Sequence, residues 1–198
     1  MLIQPTYFPN IETFQHLMKA EYIIFEVQDY YQKQTYRTRC NIYSANGLLS
    51  MNIPIKHQKM ERQYTKEVKI ENEFPWQKNH FKTLQNAYRS SPFFEYYEDD
   101  IQKIYQSQEI YLIDFLFKTL ELSYKLLQTP LAYSNTEVYH KHYVDIEDIR
   151  YLVEAKVATK KEFSVYAQVF ESKHGFLANL SILDLLFNEG PQARVLLK

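Results

Sequence analysis

Apolar and polar positions divide the chain into a short mixed N-terminal part and a helix-rich remainder. Met1–Gln4 is a short apolar start closed by Pro5 and Pro9, and Asn10 stands where a helix N-cap belongs. Ile11, Phe14, Leu17 and Met18 recur at helical spacing as far as Ala20. Tyr22–Val27 is nearly continuous in β-forming residues, the pattern of a strand covered on both faces. Strand, helix and strand in this order predict a small βαβ unit. Residues 28–46 are polar and aromatic and read as a functional loop or irregular segment. Leu49, Met51, Ile53 and Ile55 then alternate with Ser50, Asn52 and Pro54, predicting a half-buried strand that Pro54 ends or places at an edge. Glu67–Glu71 alternates too and is expected to pair nearby.

From Pro75 the period changes to that of helices. Pro75 suits a first turn, and Trp76, His80, Leu84 and Tyr88 follow along one side. A second helix is expected over Phe93–Tyr105, and a third, apolar on most faces and hence central, over Ile110–Leu127. Thr136–Tyr143 reads as a strand or an extended loop. Asp145 and Asp148 resemble a capping pair opening a helix over Ile146–Lys156. Val165–Phe170 reads as a strand. Ser181 and Asp184 have capping-box spacing for a short helix over Ile182–Asn188, closed by Gly190-Pro191. The expected fold is α/β: a single domain over 1–198, with a small, partly parallel N-terminal sheet and a largely helical middle and C-terminal part.

Composition narrows the function. With 45% hydrophobic and 24% charged residues, 198 residues can bury an ordinary globular core. Twenty-three Lys and Arg against 24 Asp and Glu leave a formal net charge of −1, which argues against nucleic acid as a partner. The three glycines, Gly47, Gly175 and Gly190, lie far apart, so neither a Walker loop nor a GxGxxG fingerprint exists and no cofactor is expected. The lone Cys40 fits a reducing compartment. The N-terminus lacks a signal-peptide pattern, and Asp114, Lys118, Glu121 and Lys125 interrupt the most apolar helix. A soluble, cytoplasmic protein without membrane insertion is expected.

Candidate chemistry follows from the βαβ unit. Ligands of open α/β sheets collect beyond the carboxyl ends of the strands. Here those ends feed Gln4–Pro9 and Gln28–Lys33. Asn10 and the first turn of its helix would offer N–H groups to an anion. Arg37 and Arg39 are spaced to share one side of an extended segment, suiting phosphate or carboxylate. With Lys33 they are either an anion site or solvated charges. Asp29 is either a functional carboxylate or a turn cap, and Gln4, Tyr7 and Gln32 are candidates to orient a substrate. His140 and His142 lack a recognised metal-ligand spacing, and no metal site is expected. Cys40 has no activating partner in the sequence. His80 reads as a stacking or core histidine, and Asp184 as a capping acid or something more.

Gln4-Pro5-Thr6-Tyr7-Phe8-Pro9, the Asp29…Gln32-Lys33…Arg39 stretch, Asn52-Ile53-Pro54-Ile55, Trp76 and the closing Ser181–Pro191 resemble the WbqC-like protein family. The resemblance implies kinship with proteins that accompany surface polysaccharide gene clusters. It also implies a transferase that passes an acyl or aminoacyl group, glycyl among them, onto an amino sugar or a nucleotide-linked sugar. Asp29 would then be the base, with Lys33, Arg37 and Arg39 on the phosphates of a nucleotide sugar or activated acyl donor. Gln4 and Tyr7 would orient the substrate. Two other functions remain open at this point: a nucleotide-binding or nucleotidyl-transfer enzyme, and a non-catalytic binding module.

Overall fold

The computed structural model describes residues 1–56, 62–156 and 161–198. Along the chain run β1 (Leu2–Ile3), α1 (Ile11–Lys19), β2 (Ile23–Phe25), β3 (Arg39–Ser44), β4 (Gly47–Asn52), α2 (Trp76–Tyr88), α3 (Phe94–Gln106), α4 (Leu112–Leu126), β5 (Tyr133–Asn135), α5 (Glu171–His174), α6 (Ile182–Glu189) and α7 (Ala193–Leu196). The protein is α/β, with a small parallel sheet at its start and a largely helical middle and C-terminal part.

β1, β2 and β5 are parallel and lie in the order β1-β2-β5, with Leu2 opposite Ile24 and Ile23 opposite Tyr133. β1 is short because Pro5 has no N–H to extend a ladder. Its other edge is covered by residues 147–149: the Leu2 N–H donates to Glu147 O at 2.8 Å and the Ile149 N–H to Leu2 O at 2.9 Å, a parallel bridge centred on Asp148. Four parallel segments therefore end on the same side.

This bridge corrects the helix expected over 146–156. Asp145 takes φ +63° and the backbone beside Asp148 pairs with β1, leaving a single 3-10 turn at Arg150–Val153. Sheet pairing overrides the capping pattern. A second correction concerns residues 28–46, of which Arg39–Ser44 form β3 and pair antiparallel with β4, Ser44 opposite Gly47. Buried Cys40 and Ile42 alternate there with half-buried Arg39 and Asn41, just before Asn46-Gly47. That dipeptide is a common hairpin signal. A third is that Val165–Phe170 joins no strand ladder; Tyr166 and Gln168 turn inward instead.

α4 is the central helix, with Leu112, Phe115, Leu116, Leu120 and Tyr124 among its buried residues. α6 packs against α1, α3 and α4. Ser181 caps it, its Oγ accepting from the Leu183 N–H at 3.2 Å while donating to Phe8 O at 3.0 Å. The expected capping box is not closed, because the Asp184 carboxylate is fully buried among other donors. Tyr88 and Tyr166 hydroxyls reach it at 2.7 and 2.5 Å, and the Gln168 amide at 3.1 Å. Gly190 ends the helix at φ +54°, where a Cβ would stand 2.5 Å from the Phe93 ring.

Beside this core His80, Tyr7 and Tyr105 form a buried polar chain. The Tyr7 hydroxyl bonds His80 Nδ1 at 2.9 Å and the Tyr105 hydroxyl. Burial pushes His80 down to about 4 from its ordinary 6.5, against a backbone hydrogen bond at Asn52. The unfolded chain therefore binds more protons between those values. His80's contribution is complete above pH 6.5 and is lost as pH falls towards 4, in total about 3 kcal/mol. Urea unfolding at pH 7.5 and 4.5 should show the wild type losing about 2 kcal/mol more than His80→Gln; equal losses would mean that His80 does not carry this dependence.

Candidate functional site

The four parallel segments deliver Gln4, Glu26 to Asp29, Thr136 to Tyr139, and Asp148 to Arg150 to one edge. A depression of about 450 Å³ opens there, lined by Gln4, Asp29, Tyr30, Gln32, Tyr139, Asp148, Arg150, Tyr151, Val153 and Glu154. It lies where open α/β sheets hold ligands.

Its floor is built around Asp29. The carboxylate receives Gln4 Nε2 at 2.7 Å, Thr65 Oγ1 at 2.7 Å and the Arg37 guanidinium as a buried ion pair. The Asp29 carbonyl also accepts from the Thr65 N–H at 2.9 Å, so the segment after β2 is held at both main chain and side chain. Arg37 is 0% exposed. Burial lowers its guanidinium from the ordinary range, and the facing Asp29 charge works against that. Among the described residues, Arg37 Nε and Nη1 and Gln4 Oε1 are buried without a hydrogen-bond partner.

Arg150 organises the opposite wall. Its Nε and Nη2 grip Asp148 at 2.9 and 2.6 Å, Nη1 donates to His140 O at 3.0 Å, and Nη2 to Lys141 O at 3.0 Å. Nη1 also lies 3.5 Å from Glu26, a fully buried carboxylate that accepts from Thr136 Oγ1 and the Gln28 N–H, both at 2.8 Å. The guanidinium sits over the Tyr139 and Tyr143 rings at 5.5 and 5.3 Å. Asp148 raises Arg150, and Arg150 lowers Asp148, each through their hydrogen bonds. All its nitrogens are thus engaged within the protein, and it fastens residues 139–143 over the pocket.

Gln4, Asp29 and Gln32 line this depression; the other expected site residues lie elsewhere. Tyr7 N–H donates to Tyr36 O at 2.9 Å, so the two loops meet, but its side chain is buried against His80 and Tyr105. Arg37 and Arg39 do not form one anion fork. A turn at 36–38 separates them, turning Arg37 inward to Asp29 and leaving Arg39 on β3 with its Nε 3.4 Å from Asn52 Oδ1. Lys33 lines a neighbouring groove. The anion cradle expected at α1 is also closed. The Ile11, Glu12 and Thr13 N–H groups donate at 2.9 Å to Leu180 O, Asn179 Oδ1 and Asn10 Oδ1, respectively.

Sequence reasoning missed Glu26, Tyr139, Arg150, Tyr151 and Glu154. Glu26, a lone acid in the apolar run Tyr22–Val27, was the available signal for a buried partner. Arg150 had none, since its role depends on Asp148 pairing with β1. Arg150→Lys retains the charge but not the fork that joins one carboxylate to two carbonyls. It should speed amide exchange across residues 138–143 by tenfold or more while costing about 1–2 kcal/mol of global stability. Unchanged exchange there would show that Arg150 does not hold the loop.

No curated protein and no solved structure matches the chain. The likeness read from the sequence extended to Ser181–Pro191, whereas the family match stops at residue 155. No helix among the described residues is long and apolar enough to cross a membrane. The model of the WbqC-like protein family matches residues 4–155, well over half of the sequence, and the chain belongs to that family.

Proposed function

We propose that the protein is a transferase moving an acyl or aminoacyl group, glycyl among them, onto the amino group of a sugar, in the assembly of surface polysaccharide. The observation that carries this reading is the makeup of the pocket. Tyr30, Tyr139 and Tyr151 stand 44%, 45% and 53% exposed around one polar depression. Arg150 lies over Tyr139 and Tyr30 stacks on Tyr64, so the apolar contact open to a sugar ring is the ring surface these three tyrosines leave exposed. Between them Asp29, Asp148, Glu154, Gln4 and Gln32 offer the acceptors that hydroxyl and ammonium groups need. A volume of about 450 Å³ is ample for one monosaccharide.

An amine that attacks an acyl carbon must first lose a proton. Asp29 is the proposed base, its orientation fixed by Arg37 and Thr65 beneath the pocket. The N–C bond forms as the bond from the acyl carbon to the leaving group breaks, and the electron pair departs with that group. Gln4 and Gln32 orient the sugar. Arg37 acts as a positioning residue for Asp29 and does not itself touch the ligand.

Titration calorimetry with glucosamine and glucose tests the reading. Glucosamine should bind at least about tenfold more tightly, a difference of about 1.4 kcal/mol. Tyr151→Ala should weaken it about tenfold with an unchanged unfolding midpoint. Equal affinities, or no binding of either sugar, would overturn the proposal.

A further inference from the structure

The pocket continues into a second depression of about 200 Å³ through two residues that line both, Gln32 and Glu154. The groove is formed by two chain segments held side by side. Thr35 bridges Glu154 in antiparallel fashion, and the Tyr36 N–H donates to Val153 O at 2.8 Å. Gln34 takes φ +60°, a left-handed conformation that residues with a Cβ rarely adopt, which turns the first segment sharply. This turn places Lys33 on the groove wall, and Lys156 lines it from the second segment.

The electrostatics change between the two depressions. At the pocket neither arginine faces the cavity as a free cation: Arg37 is buried beneath it and paired through Nη2 with Asp29, and Arg150 is engaged by Asp148 and backbone carbonyls. In the groove both lysines are exposed, and neither has a carboxylate within ion-pair distance among the described residues. Two exposed lysines line this concavity against one carboxylate, Glu154, at its junction with the pocket, and hydrated ammonium groups supply point charges for a phosphate without needing a fork.

We infer that this groove holds the phosphate or diphosphate arm of a phosphorylated sugar, with Lys33 and Lys156 as its cationic pair, while the ring occupies the adjoining pocket. The inference rests on the sugar reading above for the ring and on the groove's own charges for the arm. It replaces the arginine pair expected from the sequence and gives the ligand a direction: ring towards Asp29 and Arg150, phosphate past Gln32 and Glu154. The oxygen linking C1 to the phosphate, which the transfer leaves intact, would pass between those two side chains.

Pyrophosphate and glucosamine are the probes, titrated separately at low ionic strength. Wild type should bind pyrophosphate, and Lys33→Gln/Lys156→Gln should weaken it at least about tenfold. Lys82→Gln/Lys103→Gln, which removes the same charge from α2 and α3, should leave it unchanged. Glucosamine affinity should be the same in all three proteins. If pyrophosphate binds as inferred but glucosamine does not bind, the groove stands and the sugar reading falls. If glucosamine binds but pyrophosphate does not, the groove falls and the sugar reading survives. The groove also falls if the two double variants lose pyrophosphate equally or if neither loses it. If neither probe binds the wild type, both fall.

Discussion

The pairing of Asp29 with Arg37 is the interaction on which the candidate site depends. Removing two charges from water carries a penalty that only close pairing and further hydrogen bonds offset. Here the carboxylate gathers Gln4 from the end of β1, Thr65 from the segment after β4, and Arg37 from the turn before β3. Three separated stretches of chain are thereby fixed to one point beneath the pocket. The unmatched Arg37 nitrogens and Gln4 Oε1 limit how much the pair can add to stability. Its consequence is placement: the Asp29 side chain cannot swing without leaving a buried guanidinium alone.

The same logic separates cations by role. Arg37 is buried and paired through one nitrogen with Asp29, and the Arg150 fork is taken up by Asp148 and two carbonyls, so each serves the pocket's structure. Lys33 and Lys156 remain exposed at the groove. In a chain whose formal net charge is −1, attraction of the proposed phosphorylated ligand would come from this local division and not from an overall field.

Much of the fold was legible where local signals were strong. Asn10 caps α1 as its side chain and position implied, accepting from the Thr13 N–H at 2.9 Å. The helical periods from Trp76, from Phe93 and from Ile110 yielded α2, α3 and α4 with ends shifted by a residue or two. The failures came where long-range pairing decides. Asp148 reads as a cap acid until β1 claims its backbone, and Asp184 reads as a box acid until Tyr88 and Tyr166 surround it. At the site, Gln4, Asp29 and Gln32 could be placed because they follow strand ends, a rule of topology. Arg37 and Arg39 could not, because their shared face assumed an extended backbone and the turn at 36–38 breaks it.

A double-mutant cycle on Asp29 and Arg37 tests the central claim most directly. Asp29→Leu and Arg37→Met each strand one buried charge and should each cost about 3–5 kcal/mol of unfolding free energy. The double variant removes both charges and should cost less than the two losses combined, with a coupling of at least about 2 kcal/mol. Strictly additive losses would contradict the account, because the two side chains would then be independent and the pocket floor would need another support.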